Sequence, residues 1–340
     1  MSWFAGETEL DVSAKEAWPD TAAEAGLPRV GWTLTRLSRR DDPDNSRIVY
    51  LAEHWSGSKY AYKFQLRPRS QKDFASHFHL QSLTYRALAH SNLLTVPKPV
   101  YLASERQAWV MEFIEGHTVG ELVRRAGGDV PRQLNLLRHA ATWLDAYHRA
   151  QCYERRVFQP KYTVKYFKDL QAKILAGSEK VAAKDLVLAG IDRVLEQAST
   201  YEGQETVAAT QHGYFHMRNL ILDGTRLVGL DISSNQLVPV GHDIAKILLD
   251  FTVVTRTAGA LPPGEVVPDD VRQAFFEGYT LVGPNDPGVR FLQYPRILST
   301  LLQVPQNKKY RTDAKQRTLK RLRPIAKSAF SPRGDFEPPS

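Results

Sequence analysis

The rhythm of apolar and polar positions changes near residue 116 of this 340-residue chain. Between residues 32 and 66, three segments alternate or are rich in β-branched and aromatic residues: Trp-Thr-Leu-Thr-Arg-Leu, Arg-Ile-Val-Tyr-Leu-Ala-Glu and Lys-Tyr-Ala-Tyr-Lys-Phe-Gln-Leu. That pattern predicts strands. Polar turn clusters at 38–46 and 56–58 separate them. Residues 71–90 place Phe74, Phe78, Leu80, Leu83 and Leu88 near helical spacing, and two more strand-like runs follow at 100–103 and 108–115. The first thirty residues, mixed and acidic, predict a helical lead-in.

Beyond Gly116 the period is helical. Residues 131–150 carry Leu134, Leu137, Ala141, Leu144 and Tyr147 on one face, behind Asp129 as cap and Pro131 in the first turn. Further helices are predicted at 163–176, 180–198, 242–255, 269–280 and 290–303. One β segment interrupts them at 218–231, where apolar runs flank Asp223-Gly224, a hairpin signal. The pattern therefore reads as an α+β chain: a lead-in (1–30), a β-rich region (31–110), a connector (111–116), a mainly helical region (117–305) and a basic tail (306–340).

Composition narrows the class. Apolar residues make up 42% and charged residues 24%, as in soluble globular proteins. No apolar run reaches the roughly 18 residues of a membrane span, and the N-terminus lacks the basic and apolar regions of a signal peptide. Cys152 is the only cysteine, which excludes an internal disulfide framework and predicts a reducing, cytoplasmic setting. The net charge of +8 is localised: nine Lys or Arg lie between Lys308 and Lys327 against the single acid Asp313. Such a run is a solvated face or a contact for an anionic partner. With only Tyr310 as an aromatic, stacking on nucleic-acid bases has little support.

The candidate chemistry sits around the hairpin. Residues 211–219 read Gln-His-Gly-Tyr-Phe-His-Met-Arg-Asn, and Asp231 follows Asn219 by twelve residues in an apolar run. A carboxylate flanked by core residues needs a partner or a metal, and Asn219 and Asp231 offer the oxygen donors that Mg²⁺ prefers. Lys63, on the third predicted strand, has the charge and reach to meet phosphate oxygens. Asp243, after Gly241-His242, is placed to cap a helix. His212 and His216 are four apart, but two loop histidines make a weak zinc site.

Taken in order, Tyr-Ala-Tyr-Lys63, Trp-Val-Met-Glu-Phe-Ile-Glu-Gly116, Trp143-Leu-Asp-Ala-Tyr-His148, His212 through Asn219, Leu230-Asp231 and Gly241-His-Asp243-Ile-Ala resemble the aminoglycoside phosphotransferase and choline kinase-like family over residues 32–255. The resemblance implies a bilobal protein-kinase-like fold binding ATP and Mg²⁺ and phosphorylating a hydroxyl of a small molecule. It makes Lys63 the phosphate lysine, Met111, Glu112 and Phe113 the adenine-binding hinge, Asn219 and Asp231 the metal ligands, His212 a support for the catalytic loop, and Asp243 the structural aspartate behind it. Three positions depart from the pattern. Tyr214 stands where the family carries its catalytic aspartate, and a phenol is not a carboxylate base at neutral pH. Gln81 falls where an acid would pair with Lys63. The first turn carries Asp41, Asp42 and Asp44 in place of glycine, which would repel phosphates unless Arg39, Arg40 and Arg47 offset them. The alternatives implied are a phosphotransferase of reduced or lost activity and a pseudokinase serving as a nucleotide-responsive binding module. A third reading is an anionic-surface or nucleic-acid binder built on the same scaffold.

Overall fold

A computed structural model describes residues 7–255 and 261–331; the ends of the predicted lead-in and basic tail lie outside them. In chain order the elements are α1 (Glu9–Glu24), β1 (Trp32–Asp41), β2 (Ser46–His54), β3 (Lys59–Arg67), α2 (Gln71–Ala87), β4 (Leu94–Thr95), β5 (Pro99–Ala103), β6 (Ala108–Glu112), β7 (His117–Thr118), α3 (Val119–Arg125) and α4 (Val130–Ala150). There follow β8 (Tyr153–Val157), α5 (Lys161–Leu175), α6 (Lys184–Tyr201), β9 (Glu205–Thr210), β10 (Leu220–Asp223), β11 (Arg226–Gly229), β12 (Leu237–Pro239), α7 (Gly241–Thr255), α8 (Asp269–Gly278), α9 (Pro287–Leu302) and α10 (Asp313–Phe330). The chain folds as two compact units, 1–117 with 221–234, and 118–220 with 235–340.

The first unit is built on the five-stranded sheet β1-β2-β3-β6-β5. Side chains alternate across a strand, so β2 and β3 send Ile48, Tyr50, Ala52 and Tyr62 into one cluster with Leu10, Ala14 and Trp18 of α1. Two buried polar contacts fix α1 on this face. The Tyr62 hydroxyl donates to the Ala14 carbonyl at 3.0 Å, and the Tyr50 hydroxyl donates to Asp11 Oδ1 at 2.8 Å. Lys63, next to Tyr62, accordingly turns to the other face. The late segment 221–234 returns to this unit, where β11 pairs in parallel with β4, Leu227 opposite Leu94.

The helix predicted over 71–90 is present as α2 and ends at Ala87, and its buried stripe differs. Phe74, Gln81 and Thr84 are buried, while Leu83 is exposed. The predicted hairpin is present as β10–β11, with Gly224 at φ +58° in the turn.

The second unit packs α4, α6, α7 and α9 through faces that are almost wholly buried, α7 contributing Ile244, Ile247, Leu248 and Phe251. Asp129 caps α4, accepting the Arg132 amide at 3.0 Å. The sequence pattern left α3 unread, and with it a three-stranded antiparallel sheet β12-β9-β8. The basic segment also differs from its reading as a tail. Residues 313–330 form α10, which buries Leu319, Leu322, Ile325, Ala326, Ala329 and Phe330 in this unit. Its charges lie on the remaining face of a packed helix.

Candidate active site

In the first unit, Lys63 and Asp231 meet across 168 residues of sequence. Lys63 Nζ lies 3.0 Å from Asp231 Oδ1, with the lysine 9% exposed and the aspartate side chain half exposed. The ammonium also lies over the ring of Trp109, 4.7 Å from its centroid. This follows from register, since Lys63 is the cross-strand partner of Trp109. Trp109 is itself backed by Phe74 and Phe78 of α2. The ring and the carboxylate together compensate a charge that burial would otherwise penalise. Asp231 has φ +56°, a left-handed conformation that side-chain-bearing residues rarely hold without a local reason.

Gln81 does not reach Lys63. Its amide donates to the Pro97 carbonyl at 2.9 Å and to Met111 Sδ at 3.4 Å, tying α2 to the strand end at Met111. His77, one turn earlier on α2, is the helix residue that senses the pair. Burial, then the charge of Lys63, lowers its pKa, while Asp231 and Asp73 act in the opposite direction.

Glu112 is fixed by two contacts: Oε1 pairs with Arg226 at 2.8 Å and Oε2 accepts the Lys98 amide at 3.0 Å. Arg226 also binds Asp223 at 2.8 Å. Phe113 follows, partly buried. At Gly116, φ is +130° and an added Cβ would fall 2.3 Å from the Leu222 carbonyl oxygen, so the connector is pressed against β10. The acidic first turn is neutralised within itself. Arg39 pairs with Asp41 and Arg40 with Asp42, each at 2.7 Å, and Arg67, rather than Arg47, adds a contact to Asp41 at 3.4 Å.

In the second unit the 211–219 loop is held by Asp243. Its Oδ2 accepts the His212 amide at 2.7 Å and its Oδ1 accepts the Gly213 amide at 3.2 Å. His148 Nε2 donates to Oδ2 at 3.4 Å, and the Tyr279 hydroxyl bonds His148 Nδ1 at 2.8 Å. Burial would raise the Asp243 carboxyl, but His148 and the His212 amide outweigh it and hold it below the usual carboxylate range. The His212 ring packs against Trp143, Tyr147 and Phe215, which explains why this loop begins from a rigid base.

Above that base, Asn219 Nδ2 donates to the Tyr214 carbonyl at 2.9 Å, and the Met217 amide donates to Asp250 at 3.3 Å. Lys246 Nζ donates to the Gly213 carbonyl at 2.8 Å and lies 4.1 Å from the centroid of the Tyr214 ring. The Tyr214 side chain is 53% exposed. Burial, followed by the charge of Arg296, lowers the Lys246 pKa to about 8. Among the described residues no group of three His, Cys, Asp or Glu could hold a metal ion, which leaves the His212–His216 spacing without a third ligand.

A profile of the phosphotransferase enzyme family matches residues 38–291. The chain belongs to this family. No curated protein sequence matches the chain. Among solved structures, the chain is similar to the streptomycin–ATP ternary complex of APH(2")-IIa, at 18% identity and TM-score 0.55 over 93% of this chain and 97% of that one. It is similar to a glucosamine kinase in complex with glucosamine, ADP and inorganic phosphate, at 15% identity and TM-score 0.57 over 94% and 85% of the two chains. A macrolide 2'-phosphotransferase from Brachybacterium faecium gives 14% identity and TM-score 0.53 over 94% and 100%. These likenesses establish the α+β, protein-kinase-like fold of the chain.

The residues singled out from the sequence divide between the two units. Lys63 and Asp231 are in contact, with Gln81, Met111, Glu112 and Phe113 elsewhere in the same unit. His212, Tyr214, Asn219 and Asp243 form one hydrogen-bonded loop in the other. Sequence reasoning missed His77, Trp109, His148, Lys246 and Tyr279. A signal existed for two of them: Trp109 lies within the strand-like run before the connector, and His148 closes the 143–148 segment.

Proposed function

We propose that this phosphotransferase moves the γ-phosphoryl group of ATP to a hydroxyl of a small molecule, the class to which streptomycin and glucosamine, named for its structural neighbours, belong. The observation that carries the reading is the Lys63–Asp231 pair: a buried ammonium held on a half-exposed carboxylate by sheet register and by a strained backbone. In this reading Lys63 binds phosphate oxygens of the nucleotide, and the 111–113 backbone takes the adenine edge. Asn219 and Asp231 suit Mg²⁺ because both offer hard oxygen donors, and Asn219 turns its NH₂ away, toward the Tyr214 carbonyl. The ion, when bound with nucleotide, neutralises charge on the phosphate oxygens.

The acceptor oxygen attacks the γ-phosphorus, the bond to ADP breaks, and the hydroxyl proton leaves to solvent or a loop group. Tyr214 stands at the family's catalytic aspartate position, a proposal resting on its place two residues after His212. Without a carboxylate there, positioning and charge carry the reaction. Losing a general base costs about 10²- to 10⁴-fold, so slow turnover is the expected outcome.

The test has two stages. ATP with Mg²⁺ at about 100 times its dissociation constant stabilises the native chain by about 2.7 kcal/mol, and Lys63→Ala abolishes that stabilisation. Absence of any thermal shift with millimolar ATP removes the reading. Tyr214→Asp is then assayed for phosphoryl transfer from labelled ATP, and a rise in rate supports the assignment of position 214. Nucleotide binding with no turnover in either form favours the second reading, a nucleotide-responsive binding module, which the exposed Tyr214 motivates.

A further inference from the structure

The second unit contains a cavity of about 580 Å³ whose lining is strongly cationic. Arg124 reaches it from α3, Arg218 from the loop, Lys246 from α7, Arg296 from α9, and Lys315 and Arg321 from α10. With one further arginine the lining holds seven cations against a single carboxylate, Asp250. That carboxylate already accepts the Met217 amide. None of the seven forms an ion pair among the described residues.

Some of these charges are partly satisfied. Lys246 bonds the Gly213 carbonyl, Arg124 the Gly120 carbonyl, and Arg321 the last carbonyls of α7 at 3.4 Å. Arg296 is different. Its Nε is buried with no hydrogen-bond partner, and so is Nδ1 of His216, which also lines the cavity. Lys246 and Arg296 are largely buried like charges with no carboxylate paired to either, an arrangement that costs stability unless something of opposite charge joins them. The strain shows in Lys246, whose ammonium is disfavoured by burial and by Arg296.

We propose that this cavity binds a small polyanion carrying a pyrophosphate or at least two phosphate groups. Guanidinium forks match phosphate oxygens, and several forks around one concave space select multiple phosphate groups over one. A concave space of this volume suits a small molecule. The basic run at 308–327 thereby gains a specific use: α10 turns Lys315 and Arg321 inward over the cavity, while Lys308 and Lys309 stay exposed outside it. The proposal does not depend on the phosphotransfer reading, since every residue it uses lies in the second unit and Lys63 belongs to the first.

Calorimetric titration of inorganic pyrophosphate into the full chain, in metal-free buffer, tests it. One site is expected, weakened about 10-fold or more by Arg296→Gln, the size of one lost charge-assisted contact. Lys315→Gln with Arg321→Gln, two changes that leave the buried core intact, should weaken it as much and carries the test if Arg296→Gln fails to fold. Lys63→Ala and Lys308→Gln with Lys309→Gln should bind within about 2-fold of the wild type. Loss of binding in Lys63→Ala would place the anion at the nucleotide residues and overturn the proposal. So would equal weakening by the Lys308 and Lys309 changes, unchanged affinity in both cavity variants, or binding of a single-stranded oligonucleotide but not of pyrophosphate.

Discussion

Replacing Asp243 by Asn removes one negative charge and one acceptor from the centre of the buried loop network, with almost no change of shape. Three N–H donors converge on the two carboxylate oxygens, from His212, Gly213 and His148. An asparagine oxygen in place of Oδ2 keeps His212 and His148 but turns its NH₂ toward the Gly213 N–H. The opposite orientation loses two donors, so the first is cheaper. A buried donor left unmet costs about 1–3 kcal/mol, and two remaining bonds weakened from charged to neutral add about 1 kcal/mol. The sum is about 3 kcal/mol. For a unit of about 200 residues that lowers Tm by about 6–12 °C. The sign with pH follows from the carboxyl being held below its ordinary value of 3.8. A depressed carboxylate stabilises the fold fully above the unfolded value, and that stability is lost as pH falls through the lower folded value. The gap between wild type and Asp243→Asn in urea melts should therefore be flat from pH 7 to 5 and close toward pH 3. A variant within about 1 kcal/mol of wild type at pH 7, or a gap that widens on acidification, would refute the reasoning.

Tyr279→Phe strips the hydroxyl from His148 Nδ1 and should cost about 1–2 kcal/mol in a urea melt. Combined with Asp243→Asn, the loss should fall short of the sum by at least about 0.5 kcal/mol, because both act through His148. Gly116→Ala forces a Cβ to within 2.3 Å of the Leu222 oxygen at φ +130° and should lower stability by more than about 2 kcal/mol; a neutral result would mean the connector has room to move. Lys246 releases its proton near pH 8 in the fold but near 10.5 when unfolded. The unfolded chain thus binds more protons between those values, so wild type should gain on Lys246→Met by up to about 2 kcal/mol from pH 8 to 10.5; parallel stability profiles would sink the assignment.

Much of the fold is legible in the chain because apolar spacing and turn chemistry agree there. Residues 32–66 alternate and form β1 to β3, Asp223-Gly224 turns a hairpin, and Asp129 and Pro131 start α4. Where the two signals part, the reading drifts. On α2 the buried stripe is interrupted by the polar Gln81 and Thr84, so counting leucines points to exposed Leu83 and hides His77. β8 reads Tyr-Glu-Arg-Arg-Val, exposed at every position, and only its pairing with β9 makes it a strand. In α10 the charges outnumber the apolar stripe that packs the helix, so composition suggests a tail. Within the site, Asp231 and Lys63 were readable as a charge in an apolar run and a lysine on a strand. The Trp109 ring beneath Lys63 depends on strand register, and the orphaned Arg296 on tertiary packing, neither of which a linear pattern records.

The return of residues 221–234 to the first unit sets an order in time as well as space. The five-stranded sheet and α1 draw only on residues up to 112, so they can assemble while the rest of the chain is still being synthesised. Lys63 must wait for Asp231, 168 residues later. At about 5–20 residues per second, that is an interval of roughly 8–34 seconds on the ribosome. Through that interval β4 lacks its β11 partner and the lysine has Trp109 alone, so the nascent first unit exposes an unfinished sheet edge and an uncompensated charge. A ribosome pause between residues 112 and 221 would lengthen that exposure.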